Sequence, residues 1–200
     1  MIKIGLTGSI GMGKSTVAAM FDDLGAAPWS ADEAVHRLYE EGGAAVAAIT
    51  ALFPDAVIDG AVDRARLAKI VLGAPKKLEQ LEGLIHPLVA ADREAFMSAA
   101  AQAGAPAIVL DIPLLFENGA EKFFDAVVVV SAPQDVQHAR VLARPGMSPD
   151  KLAAILAQQM LDAEKRRKAD YVINTGQPLE ETAKEVAVVF QNIMARRGQD

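Results

Sequence analysis

The sequence predicts an α/β fold in which a parallel sheet is covered by helices on both faces. Short apolar segments rich in β-branched residues recur along the chain, and segments with helical spacing of apolar residues separate them. The chain has 200 residues, which fits one domain with an inserted helical part.

The predicted strands begin with a segment that leads into a glycine-rich turn. The helix expected after that turn runs from Lys14 to Leu24, and Gly25 ends it. Strands are predicted at Ile2–Thr7, Ala27–Ser30, Ala107–Leu110, Ala126–Val130 and Tyr171–Ile173.

The segment from about Asp32 to Gly104 has a helical pattern and is poor in strands. We therefore predict a helical subdomain at 32–104, inserted into a core made of 1–31 and 105–200. Pro87 is expected to break the helical pattern. Two predicted helix faces carry Leu67, Ile70 and Val71, and Leu78, Leu81, Leu84 and Ile85.

A polar segment with several helix breakers follows the fourth predicted strand and the helix after it. It runs from Arg140 to Pro149 and contains Pro145 and Gly146. We predict a mobile lid at about 140–150.

The composition excludes some chemistry. The absence of cysteine excludes disulfides, thiolate nucleophiles and zinc–thiolate sites. A net charge of −6 argues against a broad basic surface for nucleic acid. No long apolar run predicts a membrane span, and the first residues lack a signal-peptide pattern. We expect a cytoplasmic protein, monomeric or weakly homo-oligomeric, with no nucleic-acid or membrane partner.

The turn after the first strand fits the P-loop pattern of glycine, four residues and Gly-Lys-Ser. Such a loop directs backbone N–H groups toward an anion, and the following helix adds its positive end. Lys14 supplies a positive charge for the β- and γ-phosphates, and the Ser15 hydroxyl is a ligand for Mg²⁺. The predicted ATP-binding residues are Gly8, Gly11, Met12, Gly13, Lys14, Ser15 and Thr16.

Asp111 ends an apolar strand, at the position where P-loop proteins often hold Mg²⁺ with a carboxylate. A turn set by the following Pro113-Leu114-Leu115 is the alternative explanation of this segment. The guanine-reading Asn-Lys-x-Asp and the transporter signature Leu-Ser-Gly-Gly-Gln are both absent. A small-molecule kinase is therefore favoured over a GTPase or a transporter ATPase.

An ordered series of motifs resembles the dephospho-CoA kinase family over nearly the whole chain, from Ile4 to about Val188. The residues that carry it are Gly5–Thr16, Leu24-Gly25, Ala31-Asp32, Asp59-Gly60, Arg64, Leu67, Leu84–Val89, Leu110–Glu117, Gln137, Arg140, Arg144, Gln159, Glu164-Lys165 and Ala169–Ile173. Ser30 stands where the family usually has Asp, Pro54 where it has Gly, and Asn174-Thr175 where Asp-Asn is common.

The resemblance implies a P-loop NTPase sandwich with strand order 2-3-1-4-5, and phosphoryl transfer from ATP to dephospho-CoA. It implies catalytic roles for Asp32 as general base, Lys14 and Arg140. Arg140 and Arg144 are expected to contact ATP from the lid. Contacts with dephospho-CoA are implied for Thr7, Asp32, Arg64, His86 and Leu115.

For several of these side chains, a structural role without contact with ATP or substrate stays open. Asp32 also fits a helix N-cap, Arg64 a solvated charge, and His86 a structural histidine in a turn before Pro87. Arg140 and Arg144 also fit an exposed pair on a helix, and Glu117 a structural bond to the helical subdomain. Other activities stay open too: a different small-molecule or nucleotide kinase, an ATP-binding regulator, or a nucleic-acid ATPase.

Overall fold

The computed structural model describes residues 1–196, which divide into two compact units. The first unit contains Met1–Pro28 and the chain from Ala100 onward, and the second contains Trp29–Ala99. Each unit has a hydrophobic core of its own. None of the helices in this part of the chain has the length and apolar character that a membrane span requires.

The strands form one main sheet and one short hairpin. They are β1 (Ile2–Thr7), β2 (Ala27–Ser30), β3 (Val57–Ile58), β4 (Ala61–Val62), β5 (Ala107–Asp111), β6 (Ala126–Ser131) and β7 (Tyr171–Asn174). The main sheet has the order β2-β5-β1-β6-β7. Counting only its own strands along the chain, this is the predicted order 2-3-1-4-5.

The central strand β1 pairs in parallel with β5 on one side and β6 on the other. Ile4 lies opposite Val109 in β5 and Ala126 in β6, and all three side chains are buried. Strands with neighbours on both sides and helices on both faces have no solvated face, which explains their continuous apolar runs.

The helices follow the strands in the expected alternation. They are α1 (Lys14–Asp23), α2 (Ala31–Tyr39), α3 (Val46–Leu52), α4 (Arg64–Val71), α5 (Pro75–Gln102), α6 (Gln134–Leu142), α7 (Pro149–Leu156), α8 (Asp162–Lys168) and α9 (Leu179–Arg196). Single 3₁₀ turns occur at Pro54–Ala56 and Glu121–Phe123.

Helices α1 and α9 cover one face of the main sheet. Val17 and Phe21 of α1 and Val186 and Phe190 of α9 belong to the same buried cluster as the apolar side chains of β1 and β6. The rings of Phe21 and Phe190 meet edge to face, with centroids 5.9 Å apart and planes at 74°. This packing fixes α1, and with it the helix end that faces the glycine-rich turn.

The second unit differs from the prediction because it contains the β3–β4 hairpin. Its turn is Asp59-Gly60, and both residues have positive φ, 48° and 79°. Asp-Gly is the pair that a two-residue turn with left-handed backbone favours. The strands escaped the prediction because each has only two residues.

Helix α5 also differs from the prediction in two respects. It runs without a break from Pro75 to Gln102, with Pro87 inside it. Proline at position 87 removes a hydrogen bond to the carbonyl of Gly83, and both residues are exposed, so water can bind that carbonyl. Leu78 is exposed and does not share the buried face, whereas Leu81, Leu84 and Ile85 pack in the core of this unit.

Candidate active site: the phosphate-binding loop and its surroundings

The glycine-rich turn is a tight loop between β1 and α1. Gly11 and Gly13 have φ of 77° and 86°, a backbone conformation that only glycine adopts readily. A Cβ added at Gly8 would meet the Val130 carbonyl oxygen at 2.5 Å, and one added at Gly11 would meet Val141 Cγ2 at 2.4 Å. The glycines are therefore required by both backbone conformation and space.

The amino end of α1 faces this loop. Its N-cap residue, Gly13, has no side chain to bond the first backbone N–H groups of the helix. These groups, together with the helix dipole, favour an anion at this end. Lys14 begins the helix, and its Nζ donates to the Gly8 carbonyl oxygen at 3.0 Å, across the loop. Ser15 and Thr16 follow with exposed side chains.

Asp111 lies beside the strand that leads into the loop. It is the last residue of β5, in register with Leu6 of β1, and 8% of its surface is exposed. Asp111 therefore lies at a strand end next to the loop, as predicted. The Ser15 hydroxyl and the Asp111 carboxylate are both oxygen donors, the kind that Mg²⁺ prefers.

Thr7 and Leu115 do not expose their side chains at this site. Both are fully buried. The Thr7 hydroxyl donates to the Pro113 carbonyl oxygen at 3.2 Å, and Leu115 packs with Phe116, Val127 and Val129. The contacts of Thr7 and Leu115 with dephospho-CoA that the resemblance implies stay predictions.

Glu117 bonds two residues of the first unit, Met160 and Lys165. Its Oε1 accepts from the Met160 N–H at 2.6 Å and lies 2.9 Å from Lys165 Nζ. Burial raises the pKa of this carboxyl, but the Met160 and Lys165 hydrogen bonds outweigh burial and bring the pKa below its usual range. Lys165 Nζ also donates to the Pro113 carbonyl oxygen at 3.1 Å.

The two arginines predicted to act from the lid have different surroundings. Arg140 lies in the last turn of α6 and donates to Thr175 twice, to Oγ1 at 3.2 Å and to the carbonyl oxygen at 2.6 Å. Arg144 lies in the connection to α7 and is exposed, and its side chain makes no hydrogen bond or ion pair within residues 1–196. Both arginines are exposed, but only Arg140 lies within α6 and bonds Thr175, so they do not form an exposed pair on one helix.

The remaining predicted residues lie in the second unit. Asp32, Arg64 and His86 belong to α2, α4 and α5, and all three are exposed. Asp32 is not the N-cap of its helix. Ser30 takes that position, and its hydroxyl accepts from the Glu33 N–H at 3.4 Å.

Arg64 acts electrostatically on Tyr39, in the core of the same unit. Burial raises the pKa of the Tyr39 hydroxyl, and the positive charge of Arg64 opposes that shift in part. His86 lies on the exposed side of α5, within a continuous helix and not in a turn.

A polar network in the second unit was not expected from sequence. Trp29 Nε1 donates to Asp92 Oδ1 at 2.8 Å, and Arg37 Nη2 donates to the same oxygen at 2.6 Å. Burial raises the pKa of Asp92, but the bonds from Arg37 and Trp29 leave it below its usual value. The network ties α2 to α5. No local sequence pattern could predict this network, because Trp29 and Asp92 are 63 residues apart.

A P-loop lies at the end of the central strand of this parallel sheet, and a separate helical unit carries exposed polar side chains. This is the arrangement of a P-loop kinase. The family model described as dephospho-CoA kinase matches residues 2–181. A dephospho-CoA kinase of Mesorhizobium japonicum is 54% identical over 99% of this chain and 100% of its own length. One from Brucella melitensis is 50% identical over 98% of this chain and 97% of its own. The chain belongs to the dephospho-CoA kinase family.

Three solved structures have a similar fold. A protein from Thermus thermophilus has a TM-score of 0.81 at 34% identity, covering 96% of both chains. The dephospho-CoA kinase from Campylobacter jejuni has a TM-score of 0.66 at 25% identity, again covering 96% of both. The shikimate kinase from Aquifex aeolicus, with a TM-score of 0.52 at 18% identity, covering 96% of this chain and 97% of its own, shares the fold.

Proposed function

We propose that this chain transfers the γ-phosphoryl group of ATP to the ribose 3′-hydroxyl of dephospho-CoA, giving CoA and ADP. The observation that carries the proposal is the tight glycine loop with Lys14 bonded across it, in a chain whose family consists of dephospho-CoA kinases. Phosphoryl transfer needs little covalent chemistry from the protein, so positioning and charge neutralisation account for most of the catalysis.

At the donor end, backbone N–H groups of the loop and of the first turn of α1 bind the phosphates, except those of Ile10 and Met12, which donate to Gln159 and Ser9. Lys14 neutralises the charge that develops toward the β-phosphate side as the bond to the γ-phosphorus breaks. The residues that would hold Mg²⁺ are Ser15 and Asp111, and the ion, when bound, would offset the negative charge of the phosphates. No cluster of three or more His, Cys, Asp or Glu that could hold a metal ion occurs within residues 1–196.

At the acceptor end, we assign Asp32 as the base that receives the proton of the attacking hydroxyl. Arg64 supplies a positive charge for the pyrophosphate of dephospho-CoA, and His86 a hydrogen-bonding ring. The exposure of all three side chains supports these roles, since a substrate can reach them. The division of labour is thus ATP binding by 1–31 and 105–200, and acceptor binding by 32–104.

For the predicted lid at about 140–150, the two arginines receive different roles. Arg144 is the better candidate for the cation that closes on the transferring phosphoryl group, because its exposed side chain has no competing bond within the described residues. Arg140 already donates two hydrogen bonds to Thr175. Contact with ATP would require Arg140 to give up that position or to stack on the base while keeping it.

The proposal is tested by a coupled assay of ADP release with and without dephospho-CoA, alongside a panel of other hydroxyl acceptors. We expect ADP release that depends on dephospho-CoA and exceeds the rate with water by orders of magnitude. Faster turnover with a different acceptor would indicate another small-molecule kinase. Tight ATP binding without turnover on any acceptor would indicate a regulator.

The role of Asp32 is tested by comparing Asp32→Asn with Glu33→Gln, since both acids lie in the exposed first turn of α2. Loss of a positioned base lowers kcat by about a hundredfold or more. We expect that loss for Asp32→Asn, with the ATP dissociation constant unchanged, and near-normal turnover for Glu33→Gln. Near-normal turnover of Asp32→Asn would remove the assignment.

A further inference from the structure

One residue in the middle of the phosphate-binding loop is held on both sides by side chains from distant parts of the chain. The Ile10 N–H donates to Gln159 Oε1 at 3.1 Å, and Gln137 Nε2 donates to the Ile10 carbonyl oxygen at 2.7 Å. Gln137 lies in α6 and is 4% exposed. Gln159 is partly buried in the connection between α7 and α8. Both peptide groups of Ile10 are thus bonded to glutamine amides.

A third contact holds the next part of the same loop. The Thr175 hydroxyl donates to the Met12 carbonyl oxygen at 2.7 Å. Thr175 is itself fixed at the end of β7, because its N–H donates to the Ser131 carbonyl oxygen at 2.8 Å. The loop therefore has two carbonyl groups and one N–H group that are engaged by the protein around it.

These contacts have a direct consequence for an anion in the loop. A carbonyl oxygen that accepts from Gln137 or Thr175 is directed at that donor, so it does not point its negative charge at a phosphate oxygen. A loop that is held in shape before the nucleotide arrives also avoids the entropy cost of ordering it on binding. Gln137 contributes to both effects, whereas Gln159, which accepts from the Ile10 N–H, contributes only to holding the loop in shape. Neither effect requires the glutamines to touch the ligand.

We propose that Gln137 and Gln159 are positioning residues for ATP, which act by holding Ile10 so that the loop is preformed. This inference rests on the proposed function only in taking ATP as the ligand of the loop. A purely structural alternative exists: the two glutamines would attach α6 and the α7–α8 connection to the body of the unit. If the glutamines are positioning residues, a substitution lowers nucleotide affinity. If their role is purely structural, it changes stability alone.

The test replaces each glutamine by methionine, which keeps its length and most of its volume but removes the amide. Matched controls are Gln134→Met, at the exposed start of α6, and Gln158→Met, adjacent to Gln159; neither control side chain has a hydrogen bond within residues 1–196. Calorimetry gives the dissociation constant of MgATP, thermal unfolding gives stability without ligand, and steady-state kinetics gives KM for ATP and for dephospho-CoA.

Loss of one such hydrogen bond is expected to raise the ATP dissociation constant and KM by about fivefold. The KM for dephospho-CoA should stay within about twofold of the parent value, as should all constants of the two controls. Because both bonds hold the same residue, the combined Gln137→Met/Gln159→Met variant should depart from the product of the single effects.

The inference is overturned if both single variants bind ATP as tightly as the parent chain, whether or not their melting temperature falls. It is also overturned if the controls weaken ATP binding to the same degree. Failure of the proposed function has a different signature. A parent chain that binds ATP but shows no turnover with dephospho-CoA would refute the acceptor, while the affinity comparison would still decide the role of the glutamines.

Discussion

The buried pair of Lys165 and Glu117 offers the sharpest test of how this site is held. The Lys165 side chain has no exposed surface and that of Glu117 has 17%. Lys165 Nζ also bonds the Pro113 carbonyl oxygen, which accepts in turn from Thr7 at the end of β1. The pair therefore anchors the segment that follows Asp111 beside the strand that leads into the phosphate-binding loop.

Methionine at either position removes one charge and leaves the other buried. Removing one member of a buried pair costs about 3–5 kcal/mol. We place Glu117→Met at the upper end, because it leaves the fully buried ammonium with the neutral Pro113 oxygen. Lys165→Met belongs at the lower end, because Glu117 keeps the Met160 N–H and some contact with water. At this chain length the melting temperature should fall by about 10 °C in each case.

The double variant Glu117→Met/Lys165→Met distinguishes an interacting pair from two separate contributions. Paired apolar replacements of buried ion pairs are often close to neutral. We expect the double variant to be more stable than the sum of the single effects predicts by at least about 2 kcal/mol. The measurement is urea unfolding of all four proteins. Additive losses would refute the reasoning, as would a Lys165→Met variant that is the less stable of the two.

The same pair predicts how stability depends on pH. The pKa of Glu117 in the folded chain lies below the unfolded value of 4.5, since the Met160 and Lys165 bonds outweigh the raising effect of burial. Its contribution is therefore complete above pH 4.5 and is lost as the pH falls through the lower folded value. Between about pH 5 and 3, the double variant should lose less stability than the parent chain; equal slopes would contradict this.

Three further changes test the loop and the second unit. Gly11→Ala should raise the ATP dissociation constant by at least about tenfold, because its Cβ would collide with a valine methyl at 2.4 Å. The control Gly73→Ala has the same positive φ and open space, so it should lower stability but leave ATP binding unchanged. Ser30→Ala should cost about 1 kcal/mol in urea unfolding through loss of the α2 N-cap, whereas Ser30→Asp should be within a few tenths of the parent chain; equal losses would exclude the capping role. Asp92→Asn should shift the fluorescence of Trp29, the single tryptophan, because its indole N–H loses a carboxylate partner; an unchanged spectrum would contradict the contact.

Sequence patterns were sufficient to predict the strands of the main sheet, because each strand has a recognisable local pattern of residues. Ile2–Thr7 is apolar and leads into a glycine turn, and the strands ending at Asp111 and Ser131 are buried along their whole length. The hairpin at Val57–Val62 and the uninterrupted passage of α5 through Pro87 lay beyond such signals. In both cases a short or exposed feature is decided by its surroundings and not by its propensity.

In the candidate site, too, local features could be predicted from sequence and long-range contacts could not. The residues Gly8 to Thr16 are contiguous, so their chemistry could be predicted from their order. The contacts that hold the loop could not, since Gln137, Gln159 and Thr175 lie 127, 149 and 163 residues from the loop residues that they bond. Family resemblance marked the two glutamines without saying what they touch, and it gave Arg140 a role before its bond to Thr175 was known.

The departure at Ser30 shows how a structure changes the weight of a sequence difference. Ser30, which stands where the resemblance leads one to expect an acid, caps α2, the helix that carries Asp32 in its first turn. Serine and aspartate cap helices about equally well, so the orientation of that first turn does not depend on the missing carboxylate. What the replacement removes is one negative charge from a turn that still contains Asp32 and Glu33. An effect of the serine on catalysis that acts through this charge should weaken as salt is added, whereas a lost structural role would not depend on salt.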